Sequence, residues 1–159
     1  MREVDYKALA QFRYQLRTFL AFSEAAAQRA GLTPQQHQAL LAIKGFAGPD
    51  AASIGDVAKF LLIRHHTTVE LIDRMTKLEL VNRTSDPQDA RRVRLKLTAK
   101  GEQKLLSLSK IHLEELRAAS PALGRILRAF RIKVGQSMIG KTATRFSGKN
   151  MRKQHSKAR

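Results

Sequence analysis

The 159-residue chain has no cysteine, and its 30 Lys and Arg against 13 Asp and Glu give a formal net charge of +17. Its hydrophobic content of 43% predicts a folded core of domain size, and the lack of cysteine excludes disulfides, thiolate metal sites and thiol redox chemistry. The longest apolar run, residues 39–43, is too short to cross a bilayer, and the N-terminal segment has acids and no apolar stretch, which predicts no secretory signal. We therefore expect a cytoplasmic protein with no membrane partner.

The positive charge is concentrated towards the C-terminal end of the chain. Eleven basic residues and no acid follow Ser120, whereas residues 1–119 carry a net charge of +6. This imbalance favours a polyanionic partner, usually a nucleic acid and less often an anionic membrane. Residues 141–159 have no apolar periodicity, so we expect them to form a basic, disordered tail.

Apolar residues recur at helical spacing at both ends of the chain. A first helix is predicted over residues 5–29, with Asp5 as its N-cap, and two further helices over residues 99–118 and 121–140. The apolar stripe of the first helix fits an intramolecular core and a dimer interface about equally well. The candidate dimer contacts are Phe12, Leu16, Phe130 and Val134.

Two capping motifs mark the helices in the centre of the chain. Residues 33–36 and 53–56 have the pattern of a capping box, and they predict helices that begin at Pro34 and Ile54. A tight turn at residues 62–64 separates the second of these from a longer helix over residues 65–79. A short helix, a tight turn and a longer helix are typical of a helix-turn-helix.

The polar face of residues 65–79 is rich in groups that can bond to bases and phosphates. Helical geometry places this face opposite the apolar set, and it comprises His66, Glu70, Asp73 and Lys77, with His65 and Arg74 on its flanks. Thr67 and Thr68 lie in the first turn, where backbone N–H groups can donate to phosphates. The other histidines are distant in sequence, so the adjacent pair does not predict a metal site.

Two short strands, over residues 80–84 and 92–97, are predicted to form a β-hairpin. The second alternates apolar residues with Arg92, Arg94 and Lys96, which predicts a cationic outer face. We expect Arg91 and Arg92 to contact phosphates or the minor groove. Asp73 and Asp89 are expected to form salt bridges that hold this hairpin, the wing, against the longer helix.

The run from Ser53 to Gly101 resembles the MarR (multiple antibiotic resistance regulator) family of winged helix-turn-helix transcription factors. The segments that carry the resemblance are Ser53-Ile54-Gly55-Asp56-Val57-Ala58, Leu62 to Met75, Asp86-Pro87-x-Asp89-x-Arg91-Arg92-Val93 and Leu97-Thr98-x-x-Gly101. The resemblance covers roughly residues 5–138. It implies a mostly α fold, a winged helix-turn-helix with a small β-hairpin wing and long N- and C-terminal dimerisation helices.

By the same resemblance, residues 5–29 and 99–140 form the dimerisation region of an obligate homodimer, and residues 33–98 form the DNA-binding domain. The implied partners are double-stranded DNA, a second copy of the chain and a small-molecule effector, with no cofactor and no metal. The implied function is a repressor on a pseudo-palindromic operator. The candidate DNA-binding residues are Arg64, His65, His66, Thr67, Thr68, Glu70, Arg74, Lys77, Arg91 and Arg92.

Other functions fit the sequence less well. No nucleophile–base arrangement, paired carboxylates or phosphate-binding glycine motif supports an enzyme. The basic tail favours an architectural, nucleoid-type DNA-binding protein, and two exposed acids, Glu70 and Asp73, leave a protein-interaction adaptor open. Ala90 departs from the basic residue that is common at the wing tip. His37 and His112 are expected to be packing residues, with the lining of an effector pocket as the alternative.

Overall fold

The computed structural model describes residues 3–46, 51–86, 89 and 93–130. The predicted fold class is confirmed, because the described chain is mostly helical with one antiparallel hairpin. The elements in chain order are α1 (Glu3–Arg29), α2 (Pro34–Lys44), α3 (Ile54–Leu61), α4 (His65–Lys77), β1 (Val81–Ser85), β2 (Val93–Leu97) and α5 (Ala99–Ala129).

Both predicted capping boxes are confirmed. At the start of α2, Gln36 N donates to Thr33 Oγ1 at 3.2 Å and Thr33 N donates to Gln36 Oε1 at 2.9 Å. At the start of α3, Asp56 N donates to Ser53 Oγ at 3.2 Å and Ser53 N donates to Asp56 Oδ2 at 3.0 Å. Each box satisfies backbone N–H groups that the first turn of a helix leaves without partners, which is why these helices begin at these residues.

The helix-turn-helix is closed by a left-handed residue. Leu62 caps α3 with φ +58°, and Ile63 N donates to the carbonyl of Ala58 at 3.1 Å. A positive φ is sterically costly for leucine, so the packing of α3 and α4 must hold the turn in this conformation. The predicted turn at residues 62–64 is confirmed, and α4 follows directly at His65.

Residues 14–120 form one of two compact units, and the described residues of the two chain ends, 3–13 and 121–130, belong to the other. In the larger unit α2, α3, α4 and the hairpin pack around a core whose largest fully buried side chains include Leu40, Leu71, Ile72, Met75 and Leu95. In the smaller unit Ala8 and Ile126 are buried. Within the described residues, no helix combines the length and the hydropathy needed to cross a membrane.

The start of α5 is fixed against the end of α4 by the predicted Leu-Thr-x-x-Gly motif. Gly101 N donates to Thr98 Oγ1 at 3.0 Å, and the Thr98 hydroxyl donates to the carbonyl of Glu79 at 2.6 Å. Thr98 N donates to the carbonyl of Leu80 at 3.1 Å. A Cβ atom on Gly101 would lie less than 3.0 Å from that carbonyl oxygen, so the close approach requires glycine.

The prediction of two helices over residues 99–118 and 121–140 is wrong, because α5 is continuous from Ala99 to Ala129 with Pro121 inside it. Proline has no N–H to donate to the carbonyl of Arg117, four residues earlier. Ser120 Oγ donates to this carbonyl at 2.8 Å and takes the place of the missing bond. The predicted helix beyond residue 130 lies outside the described residues.

The first helix begins before its predicted cap. The structure starts α1 at Glu3, so Asp5 lies inside the first turn and is not the N-cap residue. Part of the predicted apolar stripe of α1 remains exposed in the single chain, with Phe12 at 37% and Leu16 at 46% exposure, whereas Phe19 and Phe22 are half-buried. Of the other two candidate dimer contacts, Phe130 is half-buried and Val134 lies outside the described residues.

Candidate DNA-binding surface

The N-terminal turn of α4 presents backbone and side-chain donors to solvent. Arg64 is the N-cap residue, and within the described part of the chain no side chain caps this helix, in contrast to α2 and α3. Arg64, His65 and His66 are exposed, and Thr67 is half-buried. An uncapped N-terminus carries partial positive charge and N–H groups, so this turn is suited to a phosphate.

Thr68 does not belong to this surface, and its prediction as a DNA-binding residue is wrong. Its side chain is 0% exposed, and both its N–H and its hydroxyl donate to the carbonyl of Arg64 at 3.0 Å. Thr68 precedes Leu71, Ile72 and Met75 at the 3, 4 and 7 spacing of a buried helix face. The helical spacing therefore indicated that Thr68 is buried, but its polar hydroxyl led to the prediction of an exposed residue.

The remaining candidates on α4 share one exposed face. His66, Glu70, Arg74 and Lys77 are all exposed and recur every three or four residues, so they lie in a row along the helix. The row holds hydrogen-bond donors and an acceptor together. Such a mixed set can distinguish bases at the floor of the major groove, where each base pair has its own pattern of donors and acceptors.

Asp73 holds the wing against α4, as predicted. Arg83, in strand β1, forms an ion pair with Asp73 at 2.8 Å between Nη1 and Oδ1, and its Nη2 donates to the carbonyl of Val69 at 3.4 Å. Arg83 could not be predicted as the partner from local sequence, because the pairing depends on how β1 packs against α4. Asp89 is exposed, and its predicted salt bridge remains a prediction.

Arg94 does not lie on a free cationic face of the hairpin, contrary to the prediction from alternation. Its side chain is 17% exposed, and that of its partner Asp86 is 5% exposed. Arg94 Nε donates to Asp86 Oδ2 at 2.9 Å, Nη2 lies 2.6 Å from the same oxygen, and Nη1 donates to the carbonyl of Ala51 at 2.9 Å. All three guanidinium nitrogens therefore have partners inside the protein.

The starts of α3 and α4 and strand β2 of the wing line a cleft of about 550 Å³. It is lined by Ser53, Ile54, Gly55, Asp56, His65, Val93 and Arg94. The lining includes the exposed His65 of α4 together with Val93 and Arg94 of β2, so the N-terminus of α4 and the wing border the same cleft. The predicted wing contacts Arg91 and Arg92, and Ala90 beside them, lie outside the described residues.

His37 and His112 pack against each other, as predicted, and the lining of an effector pocket remains the untested alternative. Their ring centroids lie 4.7 Å apart, and Phe19 and Phe22 meet His112 edge-on at 5.9 and 5.4 Å. His112 Nδ1 bonds to the carbonyl of Leu108 at 2.7 Å, and its Nε2 to Ser23 Oγ at 2.8 Å. Burial lowers the pKa of His37, and the nearby His112 lowers it further.

The sequence was compared with family profiles and with known proteins, and both comparisons gave a match. Residues 30–92 match the profile described as MarR family. The chain is also 45% identical over 51 residues to YsmB of Bacillus subtilis (strain 168), described as an uncharacterized HTH-type transcriptional regulator. This match covers 32% of the chain and 35% of YsmB, so it spans about a third of the relative's length.

Solved structures share the fold. The MarR family transcription regulator SP03579 superposes with a TM-score of 0.65 at 22% identity, over 89% of this chain and 88% of that one. A MepR variant of Staphylococcus aureus, solved bound to an oligodeoxyribonucleotide, gives 0.58 at 18% identity, over 88% and 91%. BpsR of Bordetella bronchiseptica, whose DNA binding is regulated by 6-hydroxynicotinic acid, gives 0.56 at 23% identity, over 76% and 89%.

Proposed function

We propose that this chain, whose residues 30–92 match the MarR family profile, is a sequence-specific, DNA-binding transcriptional regulator of the cytoplasm. In the proposed complex α4 enters the major groove and the wing reaches the neighbouring minor groove. The structure of MepR with an oligodeoxyribonucleotide supports DNA as the partner of a protein with this fold. The family and the fold are those of transcription regulators and not of enzymes.

The observation that carries sequence specificity is the exposed carboxylate of Glu70. It lies between His66 and Arg74 on the face that would meet DNA. A carboxylate near phosphates is repelled, so a binder that only neutralises the backbone gains nothing from it. A carboxylate can accept a hydrogen bond from the N4 amino group of cytosine, and this contact depends on sequence.

Glu70→Ala is therefore expected to change specific and non-specific binding in opposite directions. The affinity for a selected site falls by about 1–3 kcal/mol because alanine has no acceptor for the base, while the affinity for random duplex DNA rises slightly because one negative charge has gone. Fluorescence anisotropy with labelled 30-base-pair duplexes measures both. Glu114→Ala, on exposed α5 surface, is the matched control and should shift both affinities by the same small factor. Equal factors for Glu70→Ala would refute base reading by this residue.

We further propose that the chain acts as a homodimer built from the dimerisation regions 5–29 and 99–140. Exposed apolar side chains run along α1, and others lie on α5, where Leu106 is 59% and Leu113 is 51% exposed. Exposed apolar surface on this scale marks an interaction site. The α1 row comprises Leu9, Phe12, Leu16 and Leu20, with exposures of 37–46%.

Sedimentation of the full-length chain at micromolar concentration tests this proposal. The wild-type protein should sediment as a dimer, and Leu16→Asp should shift it to the monomer because a charge cannot be buried unpaired in an apolar interface. Tyr14→Asp is the matched control, since Tyr14 is 67% exposed and lies on the opposite side of α1. A wild-type monomer would contradict the proposal.

Regulation is proposed as repression at a pseudo-palindromic operator, relieved by a small ligand. A twofold dimer presents two copies of α4, so an inverted repeat is the sequence that satisfies both. BpsR, with DNA binding regulated by 6-hydroxynicotinic acid, supports effector control in a protein of this fold. An effector should lower the affinity for the operator in the anisotropy assay and leave the dimer intact in sedimentation.

The second candidate function is that of an architectural DNA-binding protein with little sequence preference. The observation that favours it is the charge of +17, with 11 basic residues and no acid after Ser120. Competition of a bound duplex by unrelated DNA separates the two functions. Competition at equal concentrations would favour the architectural protein, whereas a selected site that resists a large excess of unrelated DNA supports the regulator.

A further inference from the structure

Arg94 connects the wing to the start of the helix-turn-helix. Its side chain bonds to the carbonyl of Ala51, and its backbone forms an antiparallel bridge with Ser53, the N-cap residue of α3. The next residue, Leu95, donates its N–H to the carbonyl of Ala52 at 2.8 Å. The segment 51–53 therefore pairs with β2 through one isolated antiparallel bridge, and Arg94 contacts it through both backbone and side chain.

The hairpin is held from its other strand as well. In β1, Arg83 pairs with Asp73 of α4. Thr84, the next residue of β1, lies directly opposite Arg94 in the hairpin register. The wing is therefore tied to α4 through one strand and to the start of α3 through the other, with Arg94 at the second connection.

We propose that Arg94 is a positioning residue for DNA binding: a cation that fixes the wing relative to the helix-turn-helix and does not itself neutralise a phosphate. This inference rests on the proposed function. It follows from the three internal partners of the guanidinium and from the burial of Asp86, which leaves the pair turned into the protein. A planar guanidinium can meet a carboxylate and a carbonyl in fixed directions, whereas a lysine ammonium is a point charge on a flexible stem.

Arg94→Lys separates a positioning role from a phosphate contact, because it keeps the positive charge and loses the planar set of guanidinium N–H donors. A phosphate contact would survive this substitution, since lysine also binds phosphate, but a positioning role would not. We expect the specific affinity of Arg94→Lys to fall about tenfold or more, close to the loss in Arg94→Gln. Lys96→Gln is the matched control for Arg94→Gln, because Lys96 is exposed on the same strand and its substitution removes the same charge. Its loss of affinity should be much smaller than that of Arg94→Gln.

Asp86→Asn gives a test of sign. It removes a negative charge and nearly preserves shape, so electrostatic attraction alone predicts tighter DNA binding. The positioning role predicts weaker binding, because the buried guanidinium loses its counter-charge. Binding by Asp86→Asn that equals or exceeds that of the wild type would overturn the proposal, as would wild-type affinity in Arg94→Lys.

A double-mutant cycle with Arg91→Ala shows whether Arg94 acts through the wing. If Arg94 positions the wing, the loss from Arg94→Lys shrinks once Arg91 is absent, whereas an independent phosphate contact gives additive losses. Additivity would therefore contradict the proposal. Circular dichroism confirms that each variant is folded, and the isosteric Asp86→Asn carries the test if Arg94→Lys is not.

Amide hydrogen exchange of the unbound protein provides a readout that needs no DNA. The Leu95 N–H should exchange faster in Arg94→Lys and in Asp86→Asn than in the wild type, because the strand that its bond supports is loosened. An unchanged rate at Leu95 in both variants would overturn the positioning role. If the wild-type protein binds no DNA, the proposed function fails, and the exchange result still decides what Arg94 does to the wing.

Discussion

Gly101→Ala is expected to destabilise the protein strongly, although it adds a single methyl group. The new Cβ would lie less than 3.0 Å from the Leu80 carbonyl oxygen and 3.2 Å from the Leu80 carbonyl carbon, where real Cβ atoms have no room. Both neighbours are backbone atoms, and the same oxygen accepts the Thr98 N–H at 3.1 Å. The start of α5 would therefore have to move away from β1, with loss of that hydrogen bond.

The cost of such overpacking is about 3 kcal/mol, the upper part of the usual range, because backbone rather than a side chain must give way. For a chain of this size that corresponds to a fall of about 6–12 °C in Tm. Thermal and urea unfolding followed by circular dichroism measure it. Gly55→Ala is the matched control: its Cβ would meet only Ser53 Oγ at 3.7 Å, and alanine favours a helix by up to about 1 kcal/mol. Equal stability of the two variants would refute this account of the Leu-Thr-x-x-Gly motif.

Other predictions concern acid stability, the wing and the tail. Folding lowers the pKa of His37, so protonation favours the unfolded chain, and the free energy of unfolding should fall as the pH drops below the ordinary pKa of 6.5. The urea midpoint of the wild type should therefore be lower at pH 5.5 than at pH 7.5, and this difference should shrink in His37→Phe. Arg91→Ala should weaken binding to a selected site by about 1–3 kcal/mol, measured by fluorescence anisotropy, and leave Tm unchanged. Unaltered affinity would mean that the wing does not contact the DNA as proposed. Asp73→Ala should remove the ion-pair partner of Arg83 and weaken specific DNA binding, and the double variant Asp73→Arg/Arg83→Asp should regain part of the lost affinity. If the double variant regains no affinity, the two residues do not act as a pair. Deletion of residues 141–159, which contain seven basic residues, should flatten the slope of log affinity against log salt concentration by at least a few units, because each neutralised phosphate contributes about 0.9. An unchanged slope would mean that these residues do not contact the DNA.

Local patterns predicted the parts of the fold that depend on neighbouring residues. The capping boxes, the turn at residues 62–64 and the polar row on α4 each lie within about a dozen residues, where period and side-chain chemistry decide the outcome. Pro121 shows the limit of this reasoning. Proline after serine is a common helix start, but here the helix continues through Pro121, and Ser120 Oγ donates to the Arg117 carbonyl that the proline leaves without its backbone donor.

The side chains of the wing depended on distant contacts. Alternation along β2 placed Arg94 and Lys96 on one cationic face, and Lys96 is exposed as expected. Arg94 is turned inward by Ala51 and Asp86, of which Ala51 lies 43 residues away, so no local pattern could have identified both partners. Arg83 was missed for the same reason, because its partner Asp73 belongs to another element.

Selection of bound sequences from random duplex DNA tests the central claim most directly. The full-length protein is incubated with the pool at physiological salt, bound DNA is recovered and sequenced, and the enriched site is measured against an unrelated duplex. A dimer that reads DNA through α4 should enrich an inverted repeat with half-sites about one helical turn apart, and should bind it about 10³-fold or more tightly than the unrelated duplex. Recovery of a pool without a repeated motif, bound as tightly as unrelated DNA, would contradict a sequence-specific regulator.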